Sequence, residues 1–441
     1  VAAGLIGAGA GGGPAPVRPG AAPGAVVRQL RAEITHWRLA AEALADLEEV
    51  AAAEAWASLE TYLHADVRAR LTAVVAALVG RARGLQAAAA AGSDPGALRA
   101  GVLALRQAYL QVETVLDFYG DAVNSRTSPS LRGILRGLDV LAGDSLAATL
   151  GPLGIQGPPA LVYVDKGLGA SILRAGVRLW DQAHPSPAAA VKLTRHNLSH
   201  PTALLHETGH QVAHLTGWTG ELAAALHAAL RKRSGEVAEL WASWAGEVAA
   251  DVHAFAQAGW APLVALANVV DAPGAEVFRI RFGDPHPPAW VRVLFNAALC
   301  SSWYGSGPWD TVAEAWWRRH PPSAAGDELG RVATLSVEAF PALVDVCTRH
   351  PARAFAGAPL AAVCDPAQVS PAALAALAAQ AGPSLLTSTY LRRRRPLQVL
   401  ALLSTRAVDD PDHAAEHRHA LRAWIRDLGA DAAPASAHRV A

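Results

Sequence analysis

The sequence predicts a mainly α-helical chain with a small β-sheet, an α+β fold. Three observations predict it. Leu and Ala recur at three- and four-residue spacing among Arg and Glu over long stretches. Short β-type runs are confined to residues 160–194. Hydrophobic residues make up 52% of the 441 and charged residues 17%. That balance can bury a large core and is too apolar for a disordered chain.

Residues 1–25 are rich in Ala, Gly and Pro and read as a flexible tail. A helical region follows over 26–150. Its pattern runs from Val26 to about Arg126 and breaks at Ala91-Gly-Ser-Asp-Pro-Gly96, where Ser93 or Asp94 is placed to cap the next helix. A further helix is predicted over Ser130–Leu150, then a Gly/Pro linker over 151–159. A core region is expected over 151–320. It opens with strand-like runs at Ala160–Asp165, Ser171–Trp180 and Ala189–Thr194. Ser199 or His200 then serves as N-cap and Pro201 suits the first turn of a helix that stops near Gly217. Pro/Gly loops are expected around 283–289 and 304–310. A helical region over 321–430 and a frayed tail over 431–441 complete the chain.

Lys and Arg number 38, as do Asp and Glu. A nucleic-acid binder usually carries a basic excess, so that class is set aside. Cys300, Cys347 and Cys364 are far apart and form no CxxC pair. They offer no thiolate zinc site and fit a reducing, cytoplasmic compartment. The uncharged stretch Val252–Val270 contains His253, Gln257, Pro262 and Asn268 and reads as buried, so no membrane insertion is expected. Many of the 13 Trp lie between Trp218 and Trp317. They read as core, with an apolar cleft nearby. The run Arg392–Arg395 reads as a solvated helix end.

The chemistry is carried by His206-Glu207-Thr208-Gly209-His210, an H-E-x-x-H pattern on a predicted helix. Positions four apart lie on nearly one helix face, so the two imidazoles can take two corners of a zinc tetrahedron. Glu207 leans to the same side and can reach a water without being a ligand. About 2–3 chains in a hundred of this composition and length would carry such a pentad by chance, so a third ligand is needed. Thr216 stands where a third His would follow in one zinc class, which excludes that class, and His214 is one turn too far along. Glu247 and Asp251, four apart on a later apolar helix, fit better. Glu247 can bind the metal while Asp251 holds a ligand histidine. Glu221 lies too close after the Gly217–Gly220 turn, and Glu236 and Glu239 sit in a charged stretch beside Arg231, Lys232 and Arg233.

His206-Glu207-x-x-His210 followed by Glu247-x-x-x-Asp251 resembles the two-helix signature of the gluzincin metallopeptidases. Asp284-Pro-His286-Pro287-Pro-Ala-Trp-Val-Arg292 looks like the His-Pro-x4-Arg element of the HtpX and CAAX-prenyl protease group. The resemblance covers roughly residues 160 to 300. It implies a zincin-like core and a downstream histidine, here His286, that stabilises the tetrahedral intermediate with Arg292 supporting it. Tyr304 is the alternative stabiliser, since other gluzincins use a Tyr. The chain lacks the group's transmembrane helices, so a membrane location and a prenylated substrate are not carried over.

The expected function is zinc-dependent hydrolysis of peptide bonds in a peptide or protein substrate. One Zn2+ per chain is held by His206, His210 and Glu247, with Glu207 as general base. The competing expectation is a catalytically inactive metallopeptidase-like binding or scaffold protein. The sequence does not choose an oligomeric state.

Overall fold

Helix Pro129–Leu150 and the C-terminal helix Ala414–Ala432 cross so closely that glycine is required on both. In the computed structural model a Cβ on Gly137 would fall 2.0 Å from the Ile425 carbonyl oxygen. A Cβ on Gly429 would fall 2.6 Å from both the Gly133 oxygen and the Gly137 nitrogen. No side-chain rotation relieves a clash with backbone, so the helices would have to part. Gly137→Ala is therefore expected to cost about 3 kcal/mol of stability, read as a lower denaturation midpoint in urea.

The structure describes residues 23–57, 59, 61–167, 169–174, 188–281 and 283–432. Among these, helices dominate and the only sheet has three strands. The chain divides into two units. The first comprises residues 1–46 and 72–114 and contains helix Pro23–Ala43. Its core joins Leu30, Ile34, Ala89, Leu98 and Val102. The predicted break at 91–96 is present, and Asp94 is the residue that accepts from the Ala97 amide, at 2.9 Å. The predicted tail lies outside the described residues up to 22, and helix already begins at Pro23.

The second unit comprises residues 47–71 and 115–441. Its sheet consists of β1 (Ala160–Val164), β2 (Ser171–Leu173) and β3 (Ala189–Leu193), in the order β1-β3-β2. β1 pairs parallel with β3, Val162 opposite Val191, while β2 pairs antiparallel with it, Ile172 opposite Val191. Of the predicted run Ser171–Trp180, only 171–173 is strand; residues 175–180 lie outside the described residues. Buried Arg126 donates to Asp139 (2.9 Å) and to the Val162 carbonyl (2.8 Å), and Asp139 accepts from the Val162 amide (2.7 Å). This pair fixes the middle of β1 against helix Pro129–Leu150 without leaving a buried charge unpaired.

From β3 the chain passes through the short turn His196–Ser199 into helix Ala203–Thr216, here the motif helix. The start differs from the sequence expectation. Thr202, not Ser199 or His200, occupies the cap position, and its side chain makes no capping hydrogen bond. The turn at 196–199 consumes the residues that would otherwise cap. The predicted stop is found at Gly217. The acid helix, Ala245–Ala258, packs directly on the motif helix. A Cβ on Gly209 would lie 2.8 Å from the Ala250 Cα, so Gly209 lets the two backbones touch. Helices Ala261–Val270 and Ala289–Tyr304 follow. Trp218, Trp241, Trp244, Trp290, Trp309 and Trp316 are buried and build the core around them. Among the described residues no single helix is long and apolar enough to cross a membrane.

Candidate metal centre

Two imidazoles and one carboxylate meet at a point. His206 Nε2 and His210 Nε2 are 3.1 Å apart. Glu247 reaches in from the acid helix, with Oε2 3.4 Å from His206 Nε2 and Oε1 3.2 Å from His210 Nε2. A tetrahedral ion with bonds of about 2.0–2.1 Å holds its ligand atoms roughly 3.4 Å apart, so the triangle has the size that such an ion needs. His206, His210 and Glu247 form a group able to hold a metal ion. A second observation agrees. Glu247 Oε2 is buried and makes no hydrogen bond; its charged neighbours, His206 Nε2 at 3.4 Å and Arg292 Nη2 at 3.3 Å, leave it room to bind an ion as well.

The chain has no match among protein-family models, curated proteins or solved structures.

His206 and Glu247 are held from behind. Asp251, one turn after Glu247, lies 2.8 Å from His206 Nδ1, which fixes the ring with Nε2 facing the centre. Arg292, from helix Ala289–Tyr304, grips Asp251 through Nε at 2.6 Å and Nη2 at 2.8 Å. Its Nη2 also lies 3.3 Å from Glu247 Oε2. Asn296, one turn further on, donates to Asp251 at 3.3 Å. Below the motif helix a buried network holds the register. His253 Nδ1 meets the Leu205 carbonyl at 3.0 Å, and Ser145 joins Thr208 (2.6 Å) and Gln257 (2.5 Å).

The charges follow from this packing. Burial pulls the His206 imidazolium downward, but its bonds to Asp251 and Glu247 outweigh that and raise its pKa to about 10. Burial works against Glu247 ionising, yet His206, His210 and Arg292 hold it well below the usual carboxylate range. Asp251 is held low against burial chiefly by the Arg292 guanidinium. Glu207 moves the other way, because burial raises its pKa and its neighbours do not cancel the effect. Three carboxylates face one guanidinium, leaving two negative charges for a dication to balance. The acids beside His206 favour its protonated form, so a metal would have to displace a proton there. Binding at pH 7.5 is expected to release about one proton per ion, measurable by calorimetry in buffers of different ionisation enthalpy.

Glu207 is buried and lines the cavity of about 590 Å³ onto which the triangle opens. β2 borders the same cavity through Ser171 and Ile172. His286 is there too, its Nε2 3.5 Å from Glu247 Oε1. Its Nδ1 lies 2.6 Å from Asp284 Oδ1. Arg292 thus does not support His286; it is held by the acid pair of the acid helix, and Asp284 orients the histidine. Tyr304 is elsewhere, its hydroxyl donating to the Pro366 carbonyl at 2.9 Å. His214 is exposed and does not line the cavity. Glu221 accepts from the Arg353 and Ala354 amides, and Glu236 pairs with Arg331. The supports that sequence reading missed are Asp284, Asn296 and Gly209. Asn296 was signalled by its four-residue spacing from Arg292; Gly209 gave no signal beyond its place inside the motif.

Proposed function

We propose that this chain is a zinc-dependent hydrolase of peptide bonds with a zincin-like core. The observation that carries the reading is the His206–His210–Glu247 triangle with Glu207 beside it and a cavity in front. A structural zinc site is closed by four protein ligands. Here three converge, and the side toward the cavity is free for solvent and substrate. Nothing about a purely structural site would call for a further buried acid at Glu207.

When bound, one zinc ion supplies Lewis acidity, making water nucleophilic at neutral pH and polarising a carbonyl. Glu207 takes the proton from the attacking water and returns it to the leaving amine. Its raised pKa brings it closer to neutrality, where a group can both accept and donate. His286, steered by Asp284, donates to the oxygen that develops negative charge. Asp251 and Arg292 keep His206 and Glu247 aimed and so limit reorganisation during the reaction. β2 is the edge strand beside the cavity among the described residues, and its backbone groups would align an extended substrate strand with the scissile bond across the triangle.

The test is removal and return of the metal. Dialysis against a chelator is expected to abolish cleavage of a generic peptide library, and one equivalent of Zn2+ to restore it. Cleavage that persists in metal-free protein would refute the reading.

A further inference from the structure

A second cavity opens at the carboxyl ends of two neighbouring strands. β1 and β3 run parallel, and the chain leaves them at Asp165 and Thr194. The cavity there measures about 550 Å³ and is lined by residues 164–167 and 194–196. It shares no lining residue with the cavity of the metal centre. The crevice beyond the carboxyl ends of parallel strands is where such sheets bind ligands. The charge around it is one-sided. Lys166, Arg195 and His196 line it. Half-buried Lys192 brings its Nζ to 3.8 Å from where a Cβ on Gly167 would stand. Among the described residues, the side chains of Lys166, Lys192 and Arg195 enter no ion pair or hydrogen bond. Asp121 is near enough to sense Lys166 but does not pair with it. The Thr194 hydroxyl donates to Asn197 Oδ1 at 2.6 Å and so accepts from His196 Nδ1 at 2.9 Å, which holds that ring in place. Asp165 is the one acid of the lining, and its Oδ1 accepts from the Lys166 amide at 2.7 Å.

We propose that this cavity binds the phosphate group of a small hydroxylated molecule. The charge balance favours phosphate over a carboxylate. Lys166, Lys192 and Arg195 against Asp165 leave two positive charges around the cavity. A phosphate monoester carries about −1.5 to −2 at pH 7 and answers both, whereas a carboxylate answers one. Arg195 offers a planar fork to two oxygens, and the lysines offer point charges. Asp165, an acceptor when ionised, takes a hydroxyl of the same molecule. A cavity of this volume has room for a ligand of that size. The inference goes beyond the hydrolase reading and does not depend on it.

The experiment is calorimetric titration of the full chain after chelation, so that no ion at the metal centre can capture phosphate. Ribose 5-phosphate, ribose and inorganic phosphate are the probes. Salt is held at about 0.15 M, where loosely placed surface charges are screened. Ribose 5-phosphate is expected to bind with a Kd below about 1 mM, inorganic phosphate more weakly, and ribose not at all. Arg195→Ala and Lys166→Ala are each expected to weaken ribose 5-phosphate by about 10-fold. Both side chains are exposed, so thermal midpoints should match the wild type. No binding of ribose 5-phosphate at about 10 mM overturns the proposal, as does binding that both substitutions leave unchanged. Inorganic phosphate binding as tightly as the ester would assign the cavity to the free ion and overturn the hydroxylated ligand.

Discussion

Glu207→Gln is expected to cut peptide turnover by about 10²–10⁴-fold, the usual worth of a positioned general base, while metal content stays at the wild-type level. The two halves of this result come from different parts of the geometry. Glu207 is outside the triangle of His206, His210 and Glu247, so the amide leaves the ligand set intact. The substitution preserves shape, and an amide oxygen cannot hold the proton that a carboxylate takes. The raised pKa of Glu207 arises mainly from burial, and the neutral amide is, if anything, easier to bury. A loss of activity therefore cannot be assigned to unfolding, and equal midpoints in thermal denaturation will show it. Turnover within a few-fold of wild type would remove Glu207 from the mechanism.

Glu247→Ala is expected to have the opposite signature, with metal lost first and activity following. It deletes one corner of the triangle and leaves a histidine pair open to solvent. Loss of a residue that merely supports a ligand costs about 10–100-fold in metal affinity. Loss of the ligand itself should exceed that, read by competition with a chromophoric chelator. Asp251→Asn provides the internal comparison, because Asp251 touches His206 and Arg292 but not the centre of the triangle. The account requires the order wild type, then Asp251→Asn, then Glu247→Ala. Arg292 retains Asp251 as its partner in Glu247→Ala, so the guanidinium is not stranded. The fold is expected to survive.

Much of the centre was legible in the sequence because its residues follow helix periodicity. His206 and His210, and Glu247 and Asp251, are each one turn apart, and such pairs share a face wherever their helices go. What spacing cannot give is which helices touch. The convergence of Glu247 with the imidazoles depends on Gly209, whose missing side chain admits Ala250 at contact distance. It depends also on a buried network through Ser145, Thr208, His253 and Gln257. These residues are scattered over more than a hundred positions, and each alone reads as an ordinary core polar group. Arg292 shows the same limit. Its place in the motif suggested service to His286, whereas the crossing of two helices gives it Asp251 and Glu247 instead.

The coarse fold was legible for a related reason. Helical repeats and the three strand-like runs are local patterns, and the sheet falls among them. The start of the motif helix was misplaced because a short turn at His196–Ser199 competes for the same residues. The close crossing of Pro129–Leu150 with Ala414–Ala432 joins segments nearly three hundred residues apart, and only its glycines hint at it. Helix Ala261–Val270 was visible in sequence as part of an uncharged stretch that read as buried. Leu263 and Ala267 of that helix are buried, while Pro262 and Ala265 border the cavity of the metal centre.

The central claim is that His206, His210 and Glu247 bind one ion together. Anomalous diffraction from crystals of the zinc-loaded protein, recorded on both sides of the zinc absorption edge, tests it directly. The account predicts a single peak per chain at about 2.0–2.2 Å from one nitrogen of each histidine and from a Glu247 oxygen. A peak at any other set of residues, or none at full zinc occupancy of the solution, would contradict it.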